Sequence, residues 1–386
     1  MLVPLLVILL AKVVGAVFID YSMGIQVSGT FWSDPKRVYS WEQNDVFLAN
    51  PGGMGKWPLT FLGWDSAWYM SIMMKGYGFS DQSYAFSPGL PSFGASANLI
   101  LQSPMVSLML IALMFGVLWI PLYQLLAEEY MGKKNALLSA LLLAFSPYLF
   151  VFTTVVYSEG LLLFFVLGAW LLFRKSKLLG ASAFAALAPL TRWMGILVVF
   201  PMLYGSLKQK THRIRNVCLS LLPIASLTAW FAGFGFSVGD FLAPAHTSEW
   251  SNMYSFRTLL TEGIPRYGLN ALSETVFQPP PIPTHWLLPF AVVASLLFPL
   301  LLFHSTWKRD RSLWIYAVAG YGGILFFGAL ASTPRFVSVL FPLWIALSAS
   351  FSVSKRSTVI AAIAMGVFYV VALDLWMSFL GGQFVA

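Results

Sequence analysis

Apolar runs long enough to cross a lipid bilayer recur along this chain of 386 residues, and they leave few folds open to it. A helix needs about 20 consecutive apolar residues to span the hydrocarbon core. Leu2 to Ile19 is the first such run, and others fall at about 99–126, 135–153, 156–173, 216–236, 286–305, 312–331, 336–353 and 357–380. With 58% hydrophobic residues and a mean hydropathy of +0.76, the chain has more apolar surface than a water-soluble core can bury. Leu2 to Ile19 lacks the basic start and small-residue cleavage site of a signal peptide, so it reads as a retained helix. The expectation is an all-α polytopic membrane protein forming one domain over 1–386.

One apolar stretch, Leu178 to Gly205, is broken by Pro189-Leu190-Thr191-Arg192-Trp193. It is too short for two full spans and interrupted for one. It reads as two short helices meeting near Arg192, or as a single kinked helix. Broken segments persist only where protein or a water-filled cavity satisfies the freed backbone groups. Counting the break as a hairpin gives about 11 helical segments. Two long polar stretches lie between them, a first external loop over 20–97 and a second over 237–285. Within the first, Trp64 to Met74 is expected to lie along the membrane surface.

The loops sort by charge. Lys133, Lys134, Arg174, Lys175, Lys177, Lys208, Lys210, Arg213, Arg215, Lys308, Arg309, Arg311, Lys355 and Arg356 share one side with only Glu128, Glu129 and Asp310. Cytoplasmic loops carry such an excess, so that side and the N-terminus are expected in the cytoplasm and the C-terminus outside. The net charge of +8 is thus a topology signal and does not indicate a nucleic-acid partner. The single cysteine, Cys218, excludes an internal disulfide and a Cys-based zinc site, and is expected to pack. No glycine-rich phosphate loop or dinucleotide fingerprint occurs, which argues against a soluble nucleotide donor or an ATP-driven pump.

Against this background the polar residues at the external ends stand out. Only 10% of residues are charged, yet Asp65 sits among aromatics in Trp64-Asp65-Ser66-Ala67-Trp68-Tyr69. It can deprotonate a hydroxyl as a general base, or cap a helix beginning at Ser66. Glu159, in Tyr157-Ser158-Glu159, can bind substrate hydroxyls, hold an arginine, or sit as an ordinary first-turn acid. Arg192 and Arg335 each interrupt an apolar stretch and need a partner. That partner is a phosphate, which guanidinium binds in bidentate fashion, or an ion pair with Asp65 or Glu159. Trp64, Trp68 and Tyr69 can stack on sugar rings or anchor at the interface. The second loop holds His246, Glu249, Arg257, Arg266, Glu274, His285 and Pro279-Pro280-Pro281, and is either an acceptor-contacting lid or a plain surface loop. Its histidines are too far apart for a metal motif, and no metal or cofactor is expected. Asp34, Glu42 and Asp45 read as solvated. The polar residues converge on one face, whereas a transporter concentrates them near the midplane.

The block WDSAWYMSIMMKGYG followed by AFSPGLP resembles the signature of the PIG-V-type (GPI mannosyltransferase 2-like) family of GT-C integral-membrane glycosyltransferases. The likeness extends to YSEG after the third span and STPRFVSVLFPLW before the tenth, in the family's order and spacing. The resemblance implies a GT-C-like bundle with a large first external loop bearing the catalytic acid, which by position is Asp65. It implies a polyprenyl-phosphate sugar donor, typically dolichyl-phosphate mannose, and inversion at the anomeric carbon.

Together these readings predict a polyprenyl-phosphate-sugar-dependent hexosyltransferase, embedded in membrane lipid and acting on its external or lumenal face. It would move a sugar, mannose by resemblance, to a hydroxyl of a lipid-linked or glycan acceptor. Asp65 would serve as base, Arg192 and Arg335 would bind the donor phosphate, and Trp64, Trp68, Tyr69, Tyr157, Glu159 and His285 would contact substrate. The alternatives are a transporter or flippase of a lipid-linked saccharide and a non-catalytic partner subunit of a glycosyltransferase complex.

Overall fold

A computed structural model describes residues 2–23, 60–78, 81–246, 285–350, 354–383 and 385. Asp34, Glu42, Asp45, Glu249, Arg257, Arg266, Glu274 and Pro279-Pro280-Pro281 lie outside the described residues, as does the side chain of His246.

The regular structure of the described residues is helical. Helix α1 (Leu2–Met23) leads to a short α2 (Ser66–Lys75) and α3 (Gly89–Leu101). Next come α4 (Pro104–Met131), α5 (Lys133–Phe145), α6 (Pro147–Phe152) and α7 (Glu159–Arg174). The broken run follows as α8 (Leu178–Thr191), a 3₁₀ turn (Trp193–Val198) and α9 (Val199–Lys208). Then come α10 (Arg213–Ser220) and α11 (Leu222–Val238). The chain resumes with α12 (Leu288–Arg309) and α13 (Arg311–Phe327). It closes with α14 (Thr333–Ser338), α15 (Phe341–Ser348) and α16 (Lys355–Leu380).

Each expected apolar segment has a helical counterpart among the described residues, and the differences lie at their ends and at internal breaks. Among the described residues, five helices are long and apolar enough to span a membrane, and a bent pair over α14 and α15 makes a sixth. The segment expected at 99–126 begins at Pro104, because Gln102 turns left-handed and ends α3 as a separate helix. The segment expected at 135–153 breaks at Ser146, where Pro147 removes a backbone donor. Between α14 and α15 the axis bends by 61°. The run at 178–205 is two helices, since Arg192 adopts an extended conformation between them. Cys218 is exposed on α10 and does not pack as expected.

Burial explains the layering. Along α1 the buried residues are Pro4, Ile8, Lys12, Gly15, Ala16 and Ile19, a narrow stripe at helical spacing. The other faces expose Leu2, Leu6, Leu10, Val13 and Val17, as a helix bordering lipid does. Helix α7 is the opposite case, buried from Glu159 to Gly160 and on to Leu171 with few breaks, and it packs between α4 and α8. Small residues set that contact. A Cβ on Gly160 would sit 2.7 Å from the Gly116 backbone, and one on Gly116 would strike the Thr153 carbonyl. Close approach of this kind is how membrane helices gain packing energy without a hydrophobic drive.

Lys12 is an unforeseen polar member of the core, 1% exposed. Its ammonium donates to the Thr153 carbonyl at 2.6 Å and the Thr153 hydroxyl at 2.8 Å. Thr153 ends α6, so the cation sits at the negative end of that helix. Lys12 thereby ties α1 to the segment that delivers Tyr157 and Glu159. Replacing it leaves the Thr153 groups without their donor. Lys12→Met is expected to cost about 1–3 kcal/mol, read as a lower unfolding temperature in detergent, while exposed Lys133→Met leaves that temperature unchanged.

Candidate active site

The residues from Thr60 to Ser66 form a short irregular segment docked between α16 and the turn before α7. Trp376 Nε1 donates to the Thr60 carbonyl at 2.8 Å, and Val156 N donates to the Phe61 carbonyl at 2.8 Å. Ser66 Oγ donates to the Val156 carbonyl at 3.1 Å. Trp64 is held at a positive φ of 47°, rare for a bulky residue, with its indole donating to the Phe379 carbonyl at 3.2 Å. The backbone N–H of Asp65 donates to the Tyr157 hydroxyl at 3.1 Å. Position 65 is thus fixed through its backbone, and its carboxylate is left to pair with Arg335. Asp65 stands at the N-cap of α2 but makes no side-chain capping bond, so the helix does not account for its charge.

The carboxylate faces a buried charge cluster. Arg335 Nη1 lies 3.6 Å from Asp65 Oδ2, beyond hydrogen-bond length, and Arg335 Nε donates to Glu159 Oε1. Arg192 Nη1 donates to the same Glu159 oxygen at 2.6 Å. One carboxylate oxygen therefore serves two guanidinium groups. Glu159 Oε2 and Arg335 Nη2 are buried and lack a hydrogen-bond partner among the described residues. The Arg335 guanidinium also sits over the rings of Tyr157 at 4.5 Å and Phe152 at 4.6 Å, and Arg192 lies 5.1 Å over Phe336.

Accessibility separates the four. The side chains of Glu159 and Arg335 are 2% and 6% exposed, Arg192 is 14% and Asp65 is 26%. Two carboxylates and two guanidinium groups make a neutral set whose members nearest solvent are Asp65 and Arg192. Desolvation pushes the Asp65 carboxyl above the usual carboxylate range, opposed by Arg335 and Arg192 and reinforced by Glu159.

Local sequence explains how these side chains meet. Ser158 precedes α7, so Glu159 is its first residue, and Gly160 lets that end press against α4. Pro334 lies in the first turn of α14, where its missing N–H costs no helical bond, and Arg335 follows. Gly89 opens α3, and a Cβ there would lie 2.8 Å from the Leu190 carbonyl, so the AFSPGLP block supports the end of α8 immediately before Arg192.

The aromatic candidates divide. Tyr69 is buried and its hydroxyl shares a 3.1 Å hydrogen bond with Ser158 Oγ. Burial pushes that phenol up to about 12, so it stays protonated near neutrality. Trp68 stacks on Phe86, centroids 5.5 Å apart and planes 16° apart. Tyr157 is buried beneath Arg335. His285 lies against α16, its Nε2 3.0 Å from Asp374 Oδ2. Trp64 and Trp68, though held by Phe379 and Phe86, are partly exposed, while Tyr69, Tyr157 and His285 are buried. Asp374 went unnoticed in the sequence, although an acid within a 26-residue apolar helix is itself costly and needs a partner. Ser158 and Phe86 were read only as members of the Tyr157-Ser158-Glu159 turn and the AFSPGLP block, since neither is an unusual residue in its local context. Among the described residues no three or more metal-ligating side chains converge.

The chain matches no model of a known protein family. Compared with curated proteins it likewise gives no match. Among solved structures it is similar to the oligosaccharyltransferase of Archaeoglobus fulgidus. The form tethered to an acceptor peptide containing the NVT sequon aligns with a TM-score of 0.50 at 16% identity, over 89% of this chain and 56% of that one. The apo form gives 0.48 at 17% identity, over 83% and 53%. The complex of that enzyme, AglB, with an inhibitory peptide and a dolichol-phosphate gives 0.46 at 16%, over 82% and 52%. The chain spans about half the length of these structures. The likeness is one of fold, a GT-C-like all-α bundle of an integral multi-pass membrane protein.

Glu159 is the member whose loss leaves two cations buried. Breaking a buried pair by removing one partner costs about 3–5 kcal/mol. Glu159→Gln is therefore expected to unfold at markedly lower temperature than wild type, with Glu159→Gln/Arg335→Met recovering part of the loss. A double variant no more stable than Glu159→Gln alone would show that Arg335 does not depend on this carboxylate.

Proposed function

We propose that the protein is an inverting glycosyltransferase that uses a polyprenyl-phosphate-linked sugar and transfers it to a hydroxyl of a lipid-linked or glycan acceptor. The observation that carries this reading is Asp65, a partly exposed carboxylate fixed through its backbone and set 3.6 Å from a buried guanidinium. In the reaction the Asp65 carboxylate takes the acceptor hydroxyl proton as the oxygen attacks the anomeric carbon. The bond from that carbon to the phosphate oxygen breaks, and its electron pair leaves with the polyprenyl phosphate. Displacement from the opposite face inverts the configuration, the stereochemical logic of direct-displacement glycosidases. Phosphate departs without a strong general acid, but its growing charge needs a fixed cation.

Arg192 is the guanidinium most available for that task, being more exposed than Arg335 and still anchored by Glu159. Arg335 shares the phosphate site electrostatically, from behind the shared carboxylates. Trp64 and Trp68, the partly exposed aromatics next to Asp65, offer faces to the sugar. Tyr69, Tyr157 and Glu159 hold the constellation in place, and His285 contacts the acceptor side. The fold supports the membrane setting, since a lipid-linked donor can keep its tail in the bilayer and present its sugar at the surface. The proposed sugar is mannose, the active site faces the external or lumenal side, and the N-terminus is cytoplasmic.

The test is transfer from radiolabelled polyprenyl-phosphate mannose by the purified protein across a panel of lipid and glycan acceptors. Wild type is expected to form product, and Asp65→Asn to lose it while binding donor with unchanged affinity. Full activity in Asp65→Asn would overturn the base assignment. Arg192→Gln is expected to weaken donor binding by about tenfold or more, the worth of one charge-assisted contact.

The pH dependence has a definite sign. The base works ionised, so turnover falls as pH drops through the Asp65 pKa. Because desolvation raises that pKa, the acid limb is expected above the value of about 3.9 for a free aspartate. A kcat/KM–pH profile flat down to that value would show Asp65 is not the titrating group.

A further inference from the structure

The end of the bundle remote from Asp65 carries a second polar site. Helix α7 joins the two ends, with Glu159 at one terminus and Arg174 at the other, about 22 Å apart at 1.5 Å per residue. Beside Arg174 lies a cavity of about 280 Å³. Its floor is apolar and buried, made by Trp170, Val198 and Met202. Its rim is polar and includes Ser176, Gln209 and Ser312.

One cation, Arg174, lines this cavity, and two more, Lys208 and Arg311, immediately precede the lining residues Gln209 and Ser312. Arg174 is neutralised, bonded to Glu129, to Asp310 at 2.9 Å and to the Tyr130 hydroxyl at 2.9 Å. Lys208 and Arg311 are not. They adjoin the rim residues Gln209 and Ser312 and converge on the hydroxyl of Tyr204, to which Lys208 donates at 2.5 Å. Among the described residues neither has a carboxylate partner. Two like charges gathered on one neutral hydroxyl repel, and an anion between them relieves that repulsion. Lys175, Lys177 and Arg213 are also exposed at this end.

We propose that this cavity binds one anionic phospholipid, with its phosphate on Lys208, Arg311 and the rim hydroxyls and the start of an acyl chain on the Trp170–Met202 floor. The combination decides the class. A free phosphate has no use for the apolar floor, and a zwitterionic lipid gains little from cations lacking counter-ions. Position agrees, because the cations lie at helix ends, Lys208 closing α9 and Arg311 opening α13, as headgroup-binding basic residues do. The proposal is independent of the glycosyltransferase reading, since nothing in it involves Asp65.

The full-length protein in detergent is titrated with phosphatidylglycerol, phosphatidylcholine, polyprenyl phosphate and inorganic phosphate, and bound lipid is counted by native mass spectrometry. One phosphatidylglycerol is expected to bind at least about tenfold more tightly than phosphatidylcholine, the gain from charge-assisted contacts. Lys208→Gln/Arg311→Gln, which leaves the floor untouched, should erase that preference, and Met202→Trp should block the site. Asp65→Asn should bind the lipid as wild type does. Equal retention of both phospholipids, or an undiminished preference in the Lys208→Gln/Arg311→Gln variant, would overturn the proposal. So would displacement of phosphatidylglycerol by inorganic phosphate, or cavity binding of polyprenyl phosphate alone. If Met202→Trp does not fold, the rim variant decides the matter by itself.

Discussion

The carboxylate of Glu159 is the interaction on which the arrangement of this bundle turns. Two guanidinium groups from separate broken segments end on one of its oxygens, inside a protein whose solvent is largely lipid. Neither arginine could be buried there without it, because an isolated ion in such surroundings costs several kcal/mol. The breaks in the helices belong to the same economy of charge. Arg192 sits where α8 has stopped and the backbone runs extended, and Arg335 sits in the short α14 before a 61° bend. Arg192 reaches the carboxylate from the break itself, and Arg335 from within α14.

That neutral core gives Asp65 its character. Were Asp65 bonded to Arg335 as closely as Glu159 is, its lone pairs would be occupied and its basicity low. At 3.6 Å the guanidinium steadies the carboxylate and lowers its proton affinity only in part. Desolvation then raises its affinity for a proton, the direction a general base requires. The holding is done by the backbone instead, through Tyr157, Ser66 and the strained Trp64. A non-glycine residue held in the left-handed region is maintained only by the rigid turns around it.

The apolar runs made the helices legible, since length and hydropathy alone decide whether a segment can span lipid. Charge made the site legible as well: Asp65, Glu159, Arg192 and Arg335 stood out because charged residues are scarce and costly in such a chain. Partnership was less visible. Sequence distance says nothing of which arginine meets which carboxylate, so the ion-pair and phosphate readings of Arg192 and Arg335 could not be separated. Breaks made by a single residue were also hidden, as at Gln102 and Ser146, because a left-handed turn or one proline scarcely alters a hydropathy window. Lys12 was missed for a further reason. Its partners are the carbonyl and hydroxyl of Thr153, and a helix end gives no signature in the sequence of its distant donor.

Helix α7 links these observations into one design. Its first residue gathers the charges of the candidate active site and its last anchors the ion-pair network of Arg174, Glu129 and Asp310. Between them the helix is buried on nearly every face, held against α4 by the Gly116–Gly160 contact. Such a helix cannot tilt or slide without disturbing both ends, because a tightly packed interior shifts between discrete arrangements and does not deform smoothly. The spacing between the two charged ends is therefore a fixed property of the fold. Asp65 belongs to a rigid constellation at one end of the helix, while Lys208 and Arg311, without a carboxylate partner among the described residues, lie toward the other. Function in such a bundle lives in the charges at its helix ends, and the fold supplies the distance between them.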